Sequence, residues 1–142
     1  MHTHDEICAL FRAWNAALQT GDADEVVALY APDAVLLPTF SNAVCTSDDE
    51  RRDYFARFLR RRPSATLEEA HARAFGEVAI LSGIYAFTFA SGPLHEARAR
   101  FTFAYRRIAG QWRIVEHHSS AMPEQATDRP PKSGPYPITG TR

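Results

Sequence analysis

The chain has 142 residues, of which 45% are hydrophobic, 11% aromatic and 23% charged, which suits one domain that buries roughly two-thirds of its unfolded surface. Sixteen basic residues against seventeen acidic ones leave a formal charge of −1. That balance excludes the basic excess of a nucleic-acid-coating protein, and the apolar runs fall far short of the ~20 residues a membrane span needs. With no leader-like pattern at Met1–Glu6, the expectation is a soluble cytoplasmic protein with neither a nucleic-acid nor a membrane partner.

The predicted elements begin with a helix. Ile7, Leu10, Phe11, Trp14 and Leu18 fall on one stripe at 3.6 residues per turn, and Gly21 ends it. Asp22 caps a short second helix carrying Val26, Val27, Leu29 and Tyr30, which Pro32 stops. Ala34–Leu37 is too short and too uniformly apolar for an amphipathic helix and predicts a buried strand ending at Pro38. A brief strand is expected at Ala43–Cys45. Ser47-x-x-Glu50 is a capping-box pattern that opens a third helix through about Arg62, with Tyr54, Phe55, Phe58 and Leu59 on its buried side and Pro63 beyond it.

From Thr66 the period changes to two. Residues 66–75, 78–89, 97–106 and 111–118 predict strands, joined by turns at Gly76-Glu77, Ser91-Gly92-Pro93 and Ala109-Gly110. In the third of these, Phe101, Phe103 and Tyr105 face one side, with Arg98, Arg100 and Thr102 on the other. The layout is α+β, three N-terminal helices packed on a curved antiparallel sheet. The domain is expected over 5–124. Residues 123–142 hold five of the nine prolines, so 125–142 reads as an extended Pro-rich tail.

Eleven of the sixteen aromatic residues lie between Tyr54 and Trp112, where they would line a hollow between the helices and the sheet. The expected pocket is bounded by Tyr54, Phe58, Tyr85, Phe103 and Tyr105, with His118 near its mouth or floor. On the strand around Ile80–Phe87 both alternating sets are apolar or small. Helices from one chain can cover only one face, so a homodimer or higher oligomer is expected to bury Ile80, Ile84, Ala86 and Val115.

The run Gly110-Gln111-Trp112-Arg113-Ile114-Val115-Glu116-His117-His118-Ser119-Ser120-Ala121-Met122-Pro123 resembles the end of the association (hub) domain of calcium/calmodulin-dependent protein kinase II. That family shows Gly-x-Trp-x-Ile/Val-Val followed by His, Ser and Pro at these spacings. Trp14-Asn15, Gly21-Asp22 and Leu29–Ala34 are similar to bacterial stand-alone members of the wider nuclear transport factor 2-like (NTF2-like), or SnoaL-like, superfamily. The resemblance covers about residues 5–124 and implies a cone-like fold. In the kinase hub, arginines line the deep pocket. Two of those positions fall on Tyr85 and Phe103 here, which leaves Arg73 and Arg100 as the arginines that would serve, by strand position.

The candidate chemistry is sparse. His118 shares a face with Glu116 and Ser120 and would act as a general base, since histidine titrates near neutral pH. A structural, hydrogen-bonded histidine is the competing reading. His117 and His118 are adjacent on a strand, point to opposite faces and cannot readily share an ion. No zinc motif accompanies them, and Cys8 and Cys45 have no C-x-x-C spacing, so neither a metal nor another cofactor is expected. Asp33 is the nearest carboxylate to the base position of ketosteroid-isomerase-type relatives, and is equally a turn-forming aspartate. Trp14, Tyr54, Phe58, Arg73, Tyr85, Arg100, Phe103, Tyr105 and Ser120 complete the expected ligand-binding set. Two functions remain open: a pocket that binds a small organic molecule, with isomerase- or cyclase-like chemistry, and a non-catalytic oligomerisation module.

Overall fold

A computed structural model describes residues 4–123. The first helix, α1 (His4–Gln19), buries Ile7, Phe11, Trp14 and Leu18 as its apolar stripe requires. Helix α2 (Ala23–Val27) starts where the Asp22 carboxylate accepts the Asp24 backbone N–H at 2.9 Å. Ser47 caps α3 (Asp48–Phe58) through the Glu50 N–H, while the Glu50 carboxylate reaches back to the N–H of Thr46. These contacts hold the Glu50 carboxyl below its usual range. One 3₁₀ turn, Leu59–Arg61, finishes α3, and Arg62 leaves it in the left-handed region.

Five of the six expected strands appear in order, β1 (Tyr30–Leu37), β2 (Pro63–Phe75), β3 (Val78–Phe89), β4 (Glu96–Ile108) and β5 (Gln111–Ala121), while the brief strand expected at Ala43–Cys45 is a single bridge from Cys45 to Leu36. They form one sheet in the order β1-β5-β4-β3-β2. The last four make the antiparallel meander, but β1 joins β5 in parallel, so the sheet is mixed. Strand β1 also starts four residues before the predicted Ala34. Its edge position explains why Pro32 sits inside it, since an edge strand has one side without ladder partners. The ladder breaks between Tyr30 and Val35, and there the Arg51 guanidinium donates to the carbonyls of Ala31, Pro32 and Ala34. Arg51 is 0% exposed and also pairs with Asp48 at 2.7 Å, so it fastens α3 to an irregular stretch whose carbonyls would otherwise be unpaired.

Two irregularities shape the sheet. Strand β2 carries an extra residue, Glu68, opposite the Ile84–Tyr85 step, and the next residue along β3, Gly83, pairs with Ala70. A Cβ on Gly83 would stand 1.9 Å from the Glu69 carbonyl oxygen, and its φ of +155° is open to glycine. In β5, Val115 is an extra residue opposite the Ala104–Tyr105 step, which moves every later side chain to the other face. The core lies on the inner face, between the helices and Leu81, Tyr85, Phe87, Phe101, Phe103 and Ile114. No helix among the described residues is long and apolar enough to cross a membrane. The Pro-rich segment expected at 125–142 lies outside the described residues.

Candidate functional site

The bulge at Val115 decides which histidine faces the core. Alternation carried on from Ile114 would send residues 116, 118 and 120 inward. With one residue inserted, His117 and Ser119 point in, while Glu116, His118 and Ser120 point out. His117 is 3% exposed, stacked on Phe103 at 3.9 Å between ring centres and met edge-on by Trp14.

Its two ring nitrogens are both engaged, Nδ1 with the Tyr30 hydroxyl at 2.8 Å and Nε2 with the Tyr85 hydroxyl at 3.2 Å. The Trp14 indole N–H donates to the Tyr30 oxygen at 3.1 Å, so Tyr30 gives its own proton to His117 Nδ1. The Nε2–H then donates to Tyr85, which lines the interior beside Thr39 and Ser119. This tautomer assigns an acceptor to the Trp14, Tyr30 and His117 protons in turn. Burial first, and the neighbouring His118 second, push the His117 pKa down to about 3. The imidazole is therefore neutral near pH 7 and has no free lone pair to act as a base. Burial raises the pKa values of Tyr30 and Tyr85, keeping both phenols protonated.

The expected aromatic residues do converge. Trp14, Tyr54, Phe58 and Tyr85 line the interior with His117, Ser119 and Thr39, and Phe103 stacks beneath the imidazole. They also fill that interior: the void left among them is about 10 Å³, room for roughly one water molecule. Tyr105 is buried further along β4, stacked on Phe103, with no hydrogen-bond partner for its hydroxyl. Arg51, His117 and Ser119 are the polar or charged residues buried among those described, so no carboxylate stands inside. Asp33 occupies an exposed position of β1.

The polar half of the expected site lies elsewhere. Arg73, Arg100, His118 and Ser120 project from the outer face of the sheet, where Arg100 pairs across the ladder with Ser120, and Thr102 with His118. The placement of His118 at the aromatic hollow is thus corrected by the bulge, and that of Arg73 and Arg100 by strand parity. His118 and Ser120 border an open groove of about 310 Å³ with Ser41, Asn42 and Val44. A short contact between the Thr39 and Ser119 hydroxyls separates this groove from the interior void. Sequence reasoning passed over Tyr30 and gave His117 little weight, because a one-residue bulge leaves no mark in an alternating pattern.

Residues 3–123 match the family model of the calcium/calmodulin dependent protein kinase II association domain. The chain belongs to that family. A solved Xanthomonas campestris structure described as such an association domain is 44% identical, with a TM-score of 0.81 over 84% of this chain and 87% of that one. A Streptomyces avermitilis protein of the NTF2-like family, 18% identical, superposes with a TM-score of 0.73 over 83% of this chain and 94% of that one. A ketosteroid isomerase-like protein from Erwinia carotovora, 20% identical, does so with a TM-score of 0.65 over 80% and 92%. The last two share the fold. No curated protein matches the chain.

Two further features of this association-domain protein bear on its chemistry. Cys8 and Cys45 are buried free thiols whose pKa values burial raises, which disfavours the reactive thiolate. Among the described residues no group of three or more His, Cys, Asp or Glu side chains is placed to hold a metal ion.

Proposed function

We propose that this chain is a non-catalytic, self-associating module, and that the outer face of its sheet receives a second copy. The observation that carries this is the one-sided cover of the sheet. The helices pack on the inner face, and nothing among the described residues covers the outer one. Ile80, Ile84, Ala86, Thr102 and Ala104 form its half-buried centre, and Phe75 (60% exposed) and Val78 (37%) lie at one end. The charges around that centre are of both signs, Glu69, Arg73, Arg100 and Glu116. A two-fold axis through the apolar centre can therefore set arginines of one copy against glutamates of the other. Membership of the association-domain family supports the same reading. Light scattering on a sizing column tests it: the account expects a mass at least twice 15.9 kDa at micromolar concentration. A mass near 15.9 kDa would reject it.

A second reading, binding of a small organic molecule, is supported by a different observation. The aromatic cluster reaches the surface at Tyr54 and Phe58, which with Phe40, Arg57 and Arg61 line a cleft of about 180 Å³. Isomerase- or cyclase-like chemistry has less support, because among the described residues no carboxylate is buried in the interior and His117 has both nitrogens engaged. A ligand would accordingly sit at the mouth of the aromatic cluster, with Tyr54 and Phe58 beneath it.

A further inference from the structure

Two histidines stand on the outer face of the sheet at matched heights. Alternation sends Glu69, His71 and Arg73 outward from β2, and the bulge at Val115 sends Glu116 and His118 outward from β5. The pairings His71 with Ser82, Ser82 with Thr102 and Thr102 with His118 then place both imidazoles in one row across β2, β3, β4 and β5. With strands about 4.8 Å apart, the two stand about 14 Å from each other, each about 7 Å from the midpoint of the row. That midpoint falls between β3 and β4, in the half-buried centre flanked by the Ile80–Ala104 and Ile84–Arg100 pairs.

A two-fold contact through this centre fixes what the histidines meet. In aligned packing the strands of two sheets run within about 30° of each other, so the axis lies either along the strands or along the row. An axis along the strands reverses the row and sets His71 of one copy over His118 of the other. An axis along the row sets each histidine over its own counterpart. Both arrangements bring imidazole against imidazole at the two ends of the contact. Neutral imidazoles suit such a meeting, because each has one N–H donor and one acceptor nitrogen, whereas two imidazolium ions have donors only and repel.

The surrounding charges set the direction of the effect. On β2 the charged neighbours of His71 are Arg73 and Glu69, whose carboxylate accepts from the imidazole Nε2 at 2.6 Å. Strand β3 offers Ile80, Ser82 and Ile84, none of which titrates. His118 has Glu116 on its own strand and Arg100 beside it on β4, with uncharged Leu37 across the ladder on β1 and uncharged Ser41, Asn42 and Val44 in the adjoining loop. The two glutamates and two arginines cancel, so each proton gained by a histidine leaves the face more positive. A two-fold contact opposes the face to itself and meets that charge with an equal one. His117 takes no part, since it lies on the inner face with both nitrogens engaged.

We propose that the row His71–Ser82–Thr102–His118 makes self-association of this face pH-dependent, two copies holding together while the histidines are neutral and separating as they gain protons. The proposal rests on the self-association reading above and adds its regulation. Separated copies bind the protons more tightly than the assembly does, so by linkage acid favours separation.

Sedimentation equilibrium of the full chain at pH 7.5 and pH 5.5, beside the double variant His71→Gln/His118→Gln, tests this across the range in which histidine changes charge. The unaltered chain should associate at least about tenfold more weakly at pH 5.5, and the double variant should change by less than about threefold. Far-ultraviolet dichroism at both pH values separates dissociation from unfolding, and His117, present in both proteins, cancels from the comparison. If the double variant does not assemble at pH 7.5, the two single variants decide, and each should lose about half of the response on a logarithmic scale. Association of equal or greater strength at pH 5.5 overturns the proposal and leaves the self-association reading standing. A pH response that survives in the double variant, or undiminished in both single ones, overturns it as well. A monomer at both pH values overturns both.

Discussion

The two faces of the sheet are built from the same strands and have opposite fates. On β3 and β4, Tyr85, Phe87, Phe101 and Phe103 are at most 4% exposed and stack on one another and on Trp14. On the same strands Ser82, Ile84, Thr102 and Ala104 look outward and are half-buried, and no element among the described residues covers them. The inner face has consumed its own hollow: the aromatic side chains that would wall a cavity pack on one another instead. The outer face mixes small apolar, hydroxyl and charged groups, a composition suited to contact with another surface. Stability is thus concentrated on the inner face, and the outer one is where the proposed second copy would dock.

Mutations should separate the faces. The largest loss is expected for Phe103→Ala, which removes the ring under His117 from a site with no room to collapse, costing about 3–5 kcal/mol in urea unfolding. A loss below about 1 kcal/mol would mean that the inner face is not the core.

Acid should act through the same face. The folded pKa of His117 is lowered to about 3 from an ordinary 6.5. Between those values the unfolded chain binds the proton and the folded one does not. This contribution is therefore complete above pH 6.5 and is lost as pH falls toward 3. At pH 4.5 the loss relative to pH 7 should be about 2–3 kcal/mol. His117→Asn should flatten that part of the profile, whereas His118→Ala should leave it in place.

Gly83→Ala should cost about 1–3 kcal/mol, because the added methyl meets the Glu69 carbonyl at a backbone angle that alanine resists. An unchanged melting temperature would show that the β2 bulge relaxes freely. The smallest effect belongs to the outer face. His118→Ala removes an exposed side chain and should change unfolding by no more than about 0.5 kcal/mol. A loss of several kcal/mol would restore a structural role to His118.

Most of the architecture was legible because it rests on periodicity and punctuation. The stripe of Ile7, Phe11, Trp14 and Leu18, the Ser47 cap, and the turns at Gly76 and Gly110 all report local energetics that need no tertiary information. The start of β1 was missed because Tyr30 and Pro32 take part in a parallel edge pairing with a distant strand, which no local pattern encodes. The aromatic members of the site were legible for the same reason as the core: they alternate. The polar members were not. One extra residue at Val115 inverts the facing of His117 and His118. Nothing in the sequence pattern singles out Arg51, because what buries it is the row of carbonyls on β1 that its guanidinium meets.

The central claim, that the outer face exists to meet a second copy, is tested most directly by sedimentation equilibrium of Ile84→Arg beside the unaltered chain. Ile84 lies on the outer face between Glu69 and Arg100 and contributes nothing to the inner core. The account predicts a dimer or larger assembly for the unaltered chain. For the variant it predicts a single species near 15.9 kDa with unchanged far-ultraviolet dichroism. A variant that stays assembled, or an unaltered chain that sediments as a monomer, would contradict it.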